Sequence, residues 1–191
     1  MKRAAGVVLW LGLPAVALAQ KPTQDVLRDE EKGFELIRPK DKDNSWKVGK
    51  EGAHLYKDTD GVIAHRADNI SIEFVCVVKN DNEKFPDLKD FPDRFKEEFK
   101  ESGATVTTSV DATRNKFQCR GAGYKAIYVT VELKEKDTTK LKFAQWIFTD
   151  NRNRLFRISI VGPDDMRKKY ERETAMALAN MAIFNPKKKR P

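Results

Sequence analysis

The sequence predicts an α+β protein in which an antiparallel sheet of about 6–8 strands is flanked by two amphipathic helices. Three observations predict this class. Apolar and polar residues alternate over several short segments, which is the period of a strand. Two longer segments repeat apolar residues every three or four positions, which is the period of a helix. Short turns join successive strands, and such turns require antiparallel pairing.

The first 19 residues predict a secretory signal peptide. Lys2 and Arg3 give a positive start, residues 4–13 are uncharged and mostly apolar, and a small-residue motif ends at Ala19. Such a segment is too short to span a membrane stably. We expect cleavage after Ala19, which leaves an exported protein, periplasmic or secreted, with no later transmembrane segment.

The mature chain predicts one domain between two polar ends. Residues 20–32 are rich in charge and predict a flexible N-terminal arm, residues 33–185 predict a single α+β domain, and residues 186–191 predict a basic tail. The strands of the domain are predicted, in order, over residues 34–37, 46–48, 54–56, 62–64, 70–78, 105–110, 116–119, 124–133, 141–149 and 155–161.

Two helices interrupt and close this series of strands. The first carries an aromatic stripe of Phe91, Phe95 and Phe99 and ends before Gly103, while the second begins at Pro163 and runs to about residue 184. The stripe is typical of a helix face packed on a core, and the alternative is a binding site for a small apolar ligand. Apolar residues occupy both faces of the last two long strands, so we expect both faces to be covered there.

The net charge of +8 comes mainly from the ends of the chain. Removing Lys2, Arg3 and the four cations of the tail leaves about +2, and a surface of mixed charge does not indicate nucleic-acid binding. Two interpretations of the tail stay open, a solubilising terminus or a weak electrostatic contact with an acidic surface. Its cations are Lys187, Lys188, Lys189 and Arg190.

The cysteines Cys76 and Cys119 each lie in a predicted strand, in phase with apolar neighbours. Both are therefore expected to point into the core. In an exported protein such a pair is either a disulfide or two buried free thiols.

Catalytic and metal-binding motifs are sparse. The only histidines are His54 and His65, and a hairpin turn at 58–61 would place them opposite each other on paired strands. Two imidazoles make a weak metal site, because zinc usually takes at least three protein ligands, and the alternative is two exposed strand histidines. The acidic residues Glu73, Asp111 and Glu132 are expected to face solvent, and no catalytic or cofactor-binding residue is predicted.

Both ends of the domain resemble a known family. The residues Gly33-Phe34, Pro39 and Trp46 near the start, and the run 155–163 leading into a final helix near the end, are similar to the PsbP/DcrB-like α/β/α sandwich family. The resemblance implies an exported, non-catalytic binding or assembly protein, and it transfers no functional residue.

We therefore expect an exported, soluble, non-enzymatic accessory protein that binds a protein partner at an envelope or membrane-associated complex, without a cofactor and without nucleic acid. Two alternatives remain open. One is a carrier of a small apolar ligand, held between the sheet and the aromatic stripe. The other is an enzyme whose site the sequence does not reveal.

Overall fold

The computed structural model describes residues 25–56, 58–80, 82–136 and 138–186. The predicted signal peptide and residues 187–191 of the predicted basic tail lie outside these residues. The strands are β1 (Val26–Asp29), β2 (Phe34–Ile37), β3 (Trp46–Gly49), β4 (Gly61–His65), β5 (Ser71–Val78), β6 (Thr105–Val110), β7 (Lys116–Cys119), β8 (Ala122–Glu135), β9 (Thr138–Thr149), β10 (Arg154–Val161) and β11 (Ala182–Ile183). The helices are α1 (Phe91–Glu98), α2 (Asp164–Lys169) and α3 (Glu171–Asn180), and short 3₁₀ turns at Leu88–Asp90 and Lys100–Ser102 flank α1.

The strands form two antiparallel sheets. The large sheet has the order β3-β4-β5-β10-β9-β8-β6, with β7 also paired to β8, and the small sheet has the order β1-β2-β11. Every strand pair described is antiparallel. The predicted antiparallel α+β class is therefore confirmed.

The large sheet is buried on both faces at its centre. Side chains alternate along a strand, and in β10 Phe156 and Ile158 belong to one core cluster while Leu155 and Val161 belong to the other. This agrees with the apolar residues that the sequence places on both faces of β9 and β10.

Helix α1 packs on one face of the large sheet through its aromatic stripe. Phe91 and Phe95 are buried, and the rings of Phe95 and Phe99 lie 5.9 and 6.0 Å from the ring of Phe143 in β9. The stripe is thus part of the core, which favours the packing interpretation over a ligand cavity. The chain leaves the helix through Gly103, whose φ of +69° suits glycine.

The second predicted helix differs from the prediction in two ways. It is divided into α2 and α3 at Tyr170, whose ring packs against Trp46 and His65 at 5.5 and 4.5 Å and whose hydroxyl donates to Asp68. It also ends at Asn180, because the following residues form β11, which pairs with β2. The buried residues Ala177 and Met181 join the core cluster on the face opposite α1.

Two other segments differ from the sequence prediction. Residues 25–32, predicted as part of the flexible arm, contain β1, in which Leu27 is buried and lies opposite Leu36 of β2. Residues 54–56, predicted as a strand, lie outside the strands, and β4 pairs instead with β3.

A buried ion pair joins the small sheet to the turn between β9 and β10. The Arg154 guanidinium donates to the Asp150 carboxylate at 2.8 and 2.6 Å and to the Lys32 carbonyl at 2.6 Å. The turn at Gly33 has a φ of +72°, and a Cβ there would lie 2.6 Å from Nη1 of Arg154. Only glycine fits this approach without displacement.

No helix in the described residues is both long enough and apolar enough to cross a bilayer.

Candidate functional site

A row of polar side chains crosses the middle of the large sheet on the face that α1 covers. Ser159 in β10 is paired with Glu73 in β5 and with Gln145 in β9. All three side chains are fully buried. Polar groups are tolerated in a core only where hydrogen bonds replace water. These residues and their partners Tyr56, Glu98 and Arg157 are called the polar network below.

Glu73 anchors a segment that belongs to no strand. Its carboxylate accepts the backbone N–H groups of His54 at 2.6 Å and Leu55 at 3.0 Å, and the Ser71 hydroxyl at 3.1 Å. The expectation that Glu73 faces solvent is therefore wrong. The carboxylate instead supplies the acceptors that a paired strand would have provided. The other two acids, Asp111 and Glu132, remain partly exposed.

Arg157 is the centre of the network. Its guanidinium forms two hydrogen bonds with the Glu98 carboxylate of α1, at 3.0 and 2.9 Å, and its Nε donates to Oε1 of Gln145 at 3.0 Å. It also donates to the hydroxyl of Tyr56 and lies over the Phe95 ring at 5.3 Å. Burial alone would lower the pKa of Arg157, but its interactions with Tyr56 and Glu98 have a larger effect and raise it. One side chain thus fastens α1 and the segment around Tyr56 to the sheet.

Tyr56 and Gln145 complete the network. The Gln145 amide donates to the Tyr56 hydroxyl at 3.1 Å and to the Ser159 hydroxyl at 2.6 Å. Burial raises the pKa of Tyr56 well above its ordinary value, although Arg157 acts in the opposite direction. The phenol is therefore neutral at physiological pH. The hydrogen-bonding groups of the network bind one another, so the arrangement suits a structural clamp better than a proton-transfer site.

A wide surface depression of about 880 Å³ adjoins the polar network, because Glu98 and Arg157 line it together with other residues of α1. Two more depressions lie elsewhere on the surface. The first has a volume of about 450 Å³ and is lined in part by His54, Glu132, Lys142 and Asp164. Lys142 and Arg167 both donate to the Asp164 carboxylate and hold its pKa below the ordinary range. The charged side chains that line this first depression are of mixed sign and largely paired, so they specify no particular ligand.

The second depression, called the basic cleft below, lies between the sheet and α2. It has a volume of about 340 Å³, and its cations are Arg114, Arg167 and Lys168. Arg114 lies over the Tyr128 ring at 4.6 Å. Nε of Arg167 is buried without a hydrogen-bond partner in the described part of the chain, and Lys168 is exposed. Asp164 and Glu171 also line the cleft, so its cationic character is moderate.

The two histidines are not paired as predicted. The register places His65 opposite Trp46, and His54 lies outside the strands. Nδ1 of His65 accepts the Asp68 N–H at 3.0 Å, which fixes the ring near Tyr170. No group of three or more His, Cys, Asp or Glu side chains in the described residues is arranged to hold a metal ion.

The two cysteines are free thiols in the structure, so the disulfide alternative is not present. Both are buried in the core cluster that also contains Phe117 and Phe156. Burial raises the pKa of Cys76 to about 12 and also raises the pKa of Cys119. Of the two interpretations from the sequence, the structure has the buried thiols.

Sequence reasoning missed the polar network, although one signal was available. Gln145, Arg157 and Ser159 share a face with apolar residues on β9 and β10, strands predicted to be covered on both faces. Polar residues at such positions must be buried with partners. The sequence does not identify the partners of these polar residues, because Tyr56 and Glu98 come from a loop and a helix that are distant in the chain.

No family model and no curated protein matches the sequence. One solved structure that is similar is cyanobacterial PsbP (CyanoP) from Synechocystis sp. PCC 6803, determined in solution. The alignment has a TM-score of 0.57 and 13% sequence identity, and it covers 94% of this chain and 98% of that one. Similarity at this identity concerns the fold, and the chain has a PsbP-like fold.

Proposed function

We propose, starting from the PsbP-like fold of this chain, that the protein is an exported, non-enzymatic accessory protein that binds a protein partner in a membrane-associated complex. The fold is the observation that carries the proposal, because the similarity extends over 94% of the chain. The sequence resemblance at the two ends of the domain implies the same class of function.

The state of the titratable groups also supports a binding role. An enzyme site usually collects several groups with perturbed pKa values in an open cleft. Here Tyr56 and Arg157, whose pKa values are raised, bind each other, and Cys76, whose pKa is also raised, is buried in the core. The pKa of Asp164 in the first depression is lowered because Lys142 and Arg167 hold its carboxylate. The carrier alternative is disfavoured because Phe95 and Phe99 pack against Phe143.

The basic cleft is the surface that we propose for the contact with the partner. Arg114, Lys168 and Tyr128 all line this concave surface. An acidic segment of a partner fits such a surface, and the cations Lys187, Lys188, Lys189 and Arg190 would add a long-range attraction that salt screens.

The experiment is proximity crosslinking and affinity capture in the producing cell, followed by mass spectrometry. We expect a reproducible envelope protein to be recovered with the exported chain. Recovery of small molecules alone would contradict the proposal and favour the carrier or enzyme alternatives.

The contact surface is tested separately with charge reversals. Arg114→Glu and Lys168→Glu should each weaken capture, and the loss should shrink as salt is added. Lys47→Glu is the matched control, because Lys47 is an exposed residue of β3 and the charge change is the same. Equal capture by all three variants would exclude the basic cleft but leave the binding function standing.

A further inference from the structure

Among the described residues, strand β6 is an edge of the large sheet with no further strand beside it. The sheet ends with β6 on one side and β3 on the other. Helix α1 packs against β6, and β8 pairs with it along its full length from Thr105 to Val110. Unpaired N–H and C=O groups on such an edge are a template for pairing with another strand.

The composition of β6 lacks the usual protection of an edge. Its sequence is Thr-Val-Thr-Thr-Ser-Val, without a charge, a proline or a glycine. The opposite edge strand, β3, has four residues and carries the exposed Lys47. Natural proteins block edge pairing with short strands and lysines of this kind, so only β3 shows this protection.

The hydrogen bonds to β8 determine which backbone groups of β6 point outward. Asp111 donates its N–H to the Tyr128 carbonyl at 3.0 Å, and hydrogen-bonded pairs recur at every second residue of an antiparallel ladder. The backbone groups of Val106, Thr108 and Val110 therefore point away from β8. In the described chain none of them has a backbone partner on that side.

We propose that β6 pairs antiparallel with β6 of a second copy of this chain, about a two-fold axis at Thr108. Thr108 then lies opposite Thr108 of the partner subunit, and Val106 lies opposite Val110 of the partner subunit. Each of these residues exchanges two backbone hydrogen bonds with the residue opposite it in the partner subunit. The product is one continuous antiparallel sheet through both copies.

The register favours a second copy over an unrelated strand because it is self-complementary. Valine faces valine, threonine faces threonine, and Thr107 faces Ser109 of the partner subunit, which are favourable cross-strand pairs. At the end of the ladder Asp111 faces a threonine, so no like charges within this register are opposed. A two-fold interface needs this match of one surface with itself.

The test introduces a charge of either sign at Thr108. The oligomeric state is measured by analytical ultracentrifugation of the mature protein purified from its producing cell. The wild-type chain should sediment as a dimer. Thr108→Lys and Thr108→Glu should each sediment as monomers at the same concentration, because like charges then lie directly opposite each other. An equimolar mixture of the two variants should recover the dimer, since the lysine of one chain then faces the glutamate of the other.

Two further variants make the result decisive. Thr108→Pro removes an N–H that points away from β8, so the fold should survive while the dimer is lost. Ala175→Lys adds the same charge as Thr108→Lys at an exposed position of α3 and should leave the dimer intact. A monomeric wild-type chain, or a dimer that persists in Thr108→Lys, would overturn the proposal.

Discussion

The carboxylate of Glu73 accepts the backbone N–H of His54 at 2.6 Å in the interior of the protein. A side chain of β5 thereby takes the place of a strand partner for a segment that has none. The segment passes over the sheet and brings Tyr56 to Arg157. One buried acid thus determines the path of a loop and the position of the polar network.

Replacing Glu73 with alanine should strongly destabilise the protein. The change removes the acceptors of the part-buried N–H groups of His54 and Leu55 and of the buried Ser71 hydroxyl, so we expect a loss of about 3 kcal/mol in the free energy of unfolding. Urea denaturation measures it. Glu132→Ala is the control, since this acid is partly exposed, and it should change stability by about 0.5 kcal/mol or less. A similar small loss of stability for both variants would show that the Glu73 carboxylate does not hold the segment around His54 in place.

Gly33→Ala should destabilise the protein more than Gly103→Ala. Both glycines have a positive φ, +72° and +69°, so both substitutions bear the same backbone strain, about 1 kcal/mol. Only at Gly33 does the new Cβ also meet other atoms, including Nη1 of Arg154 at 2.6 Å, whereas nothing lies within 4 Å at Gly103. The difference in thermal stability between the two variants therefore measures the steric part, and equal losses would contradict the close approach.

Loss of Arg120 should reduce stability only where Glu35 is ionised. Arg120 and Arg28 donate to the Glu35 carboxylate and lower its pKa, with Arg120 the larger cause. The stabilisation is complete above the pKa of an unfolded glutamate, about 4.3, and disappears as the pH falls through the lower folded value.

Arg120→Gln should therefore be less stable than wild type at neutral pH, by at most about 1 kcal/mol because both arginines are half exposed. The two proteins should converge in acid. Denaturation at several pH values checks this, and Glu35→Gln, which cannot titrate, should remove the pH-dependent part. A difference that grows as the pH falls would have the wrong sign.

The cysteines should react only when the protein unfolds. Cys76 is buried and its pKa is raised to about 12, so little thiolate forms at mildly alkaline pH. A thiol reagent should label the native protein slowly and should find two thiols in denatured protein that was never reduced. Denatured protein without reactive thiols would indicate a disulfide.

Much of the fold follows from local pattern, and the errors have a common cause. The alternation in 70–78 and 155–161 predicts β5 and β10 closely, and the aromatic stripe predicts α1. The short strands β1 and β11 were missed because each depends on pairing with β2. The break at Tyr170 depends on Trp46, which is distant in sequence. The sequence does not reveal that Glu73 is buried, because the residues that cover it come from other parts of the chain.

The first and last strands of the described domain belong to the same small sheet. β1 and β11 both pair with β2, and Arg28 lies over the Phe184 ring at 4.4 Å. The chain enters this sheet beside Ile37 and leaves it beside Phe34. A linker that crosses the small sheet can therefore join the two ends while new ends are opened elsewhere. A circular permutant opened at a surface turn such as 111–115 should keep both sheets.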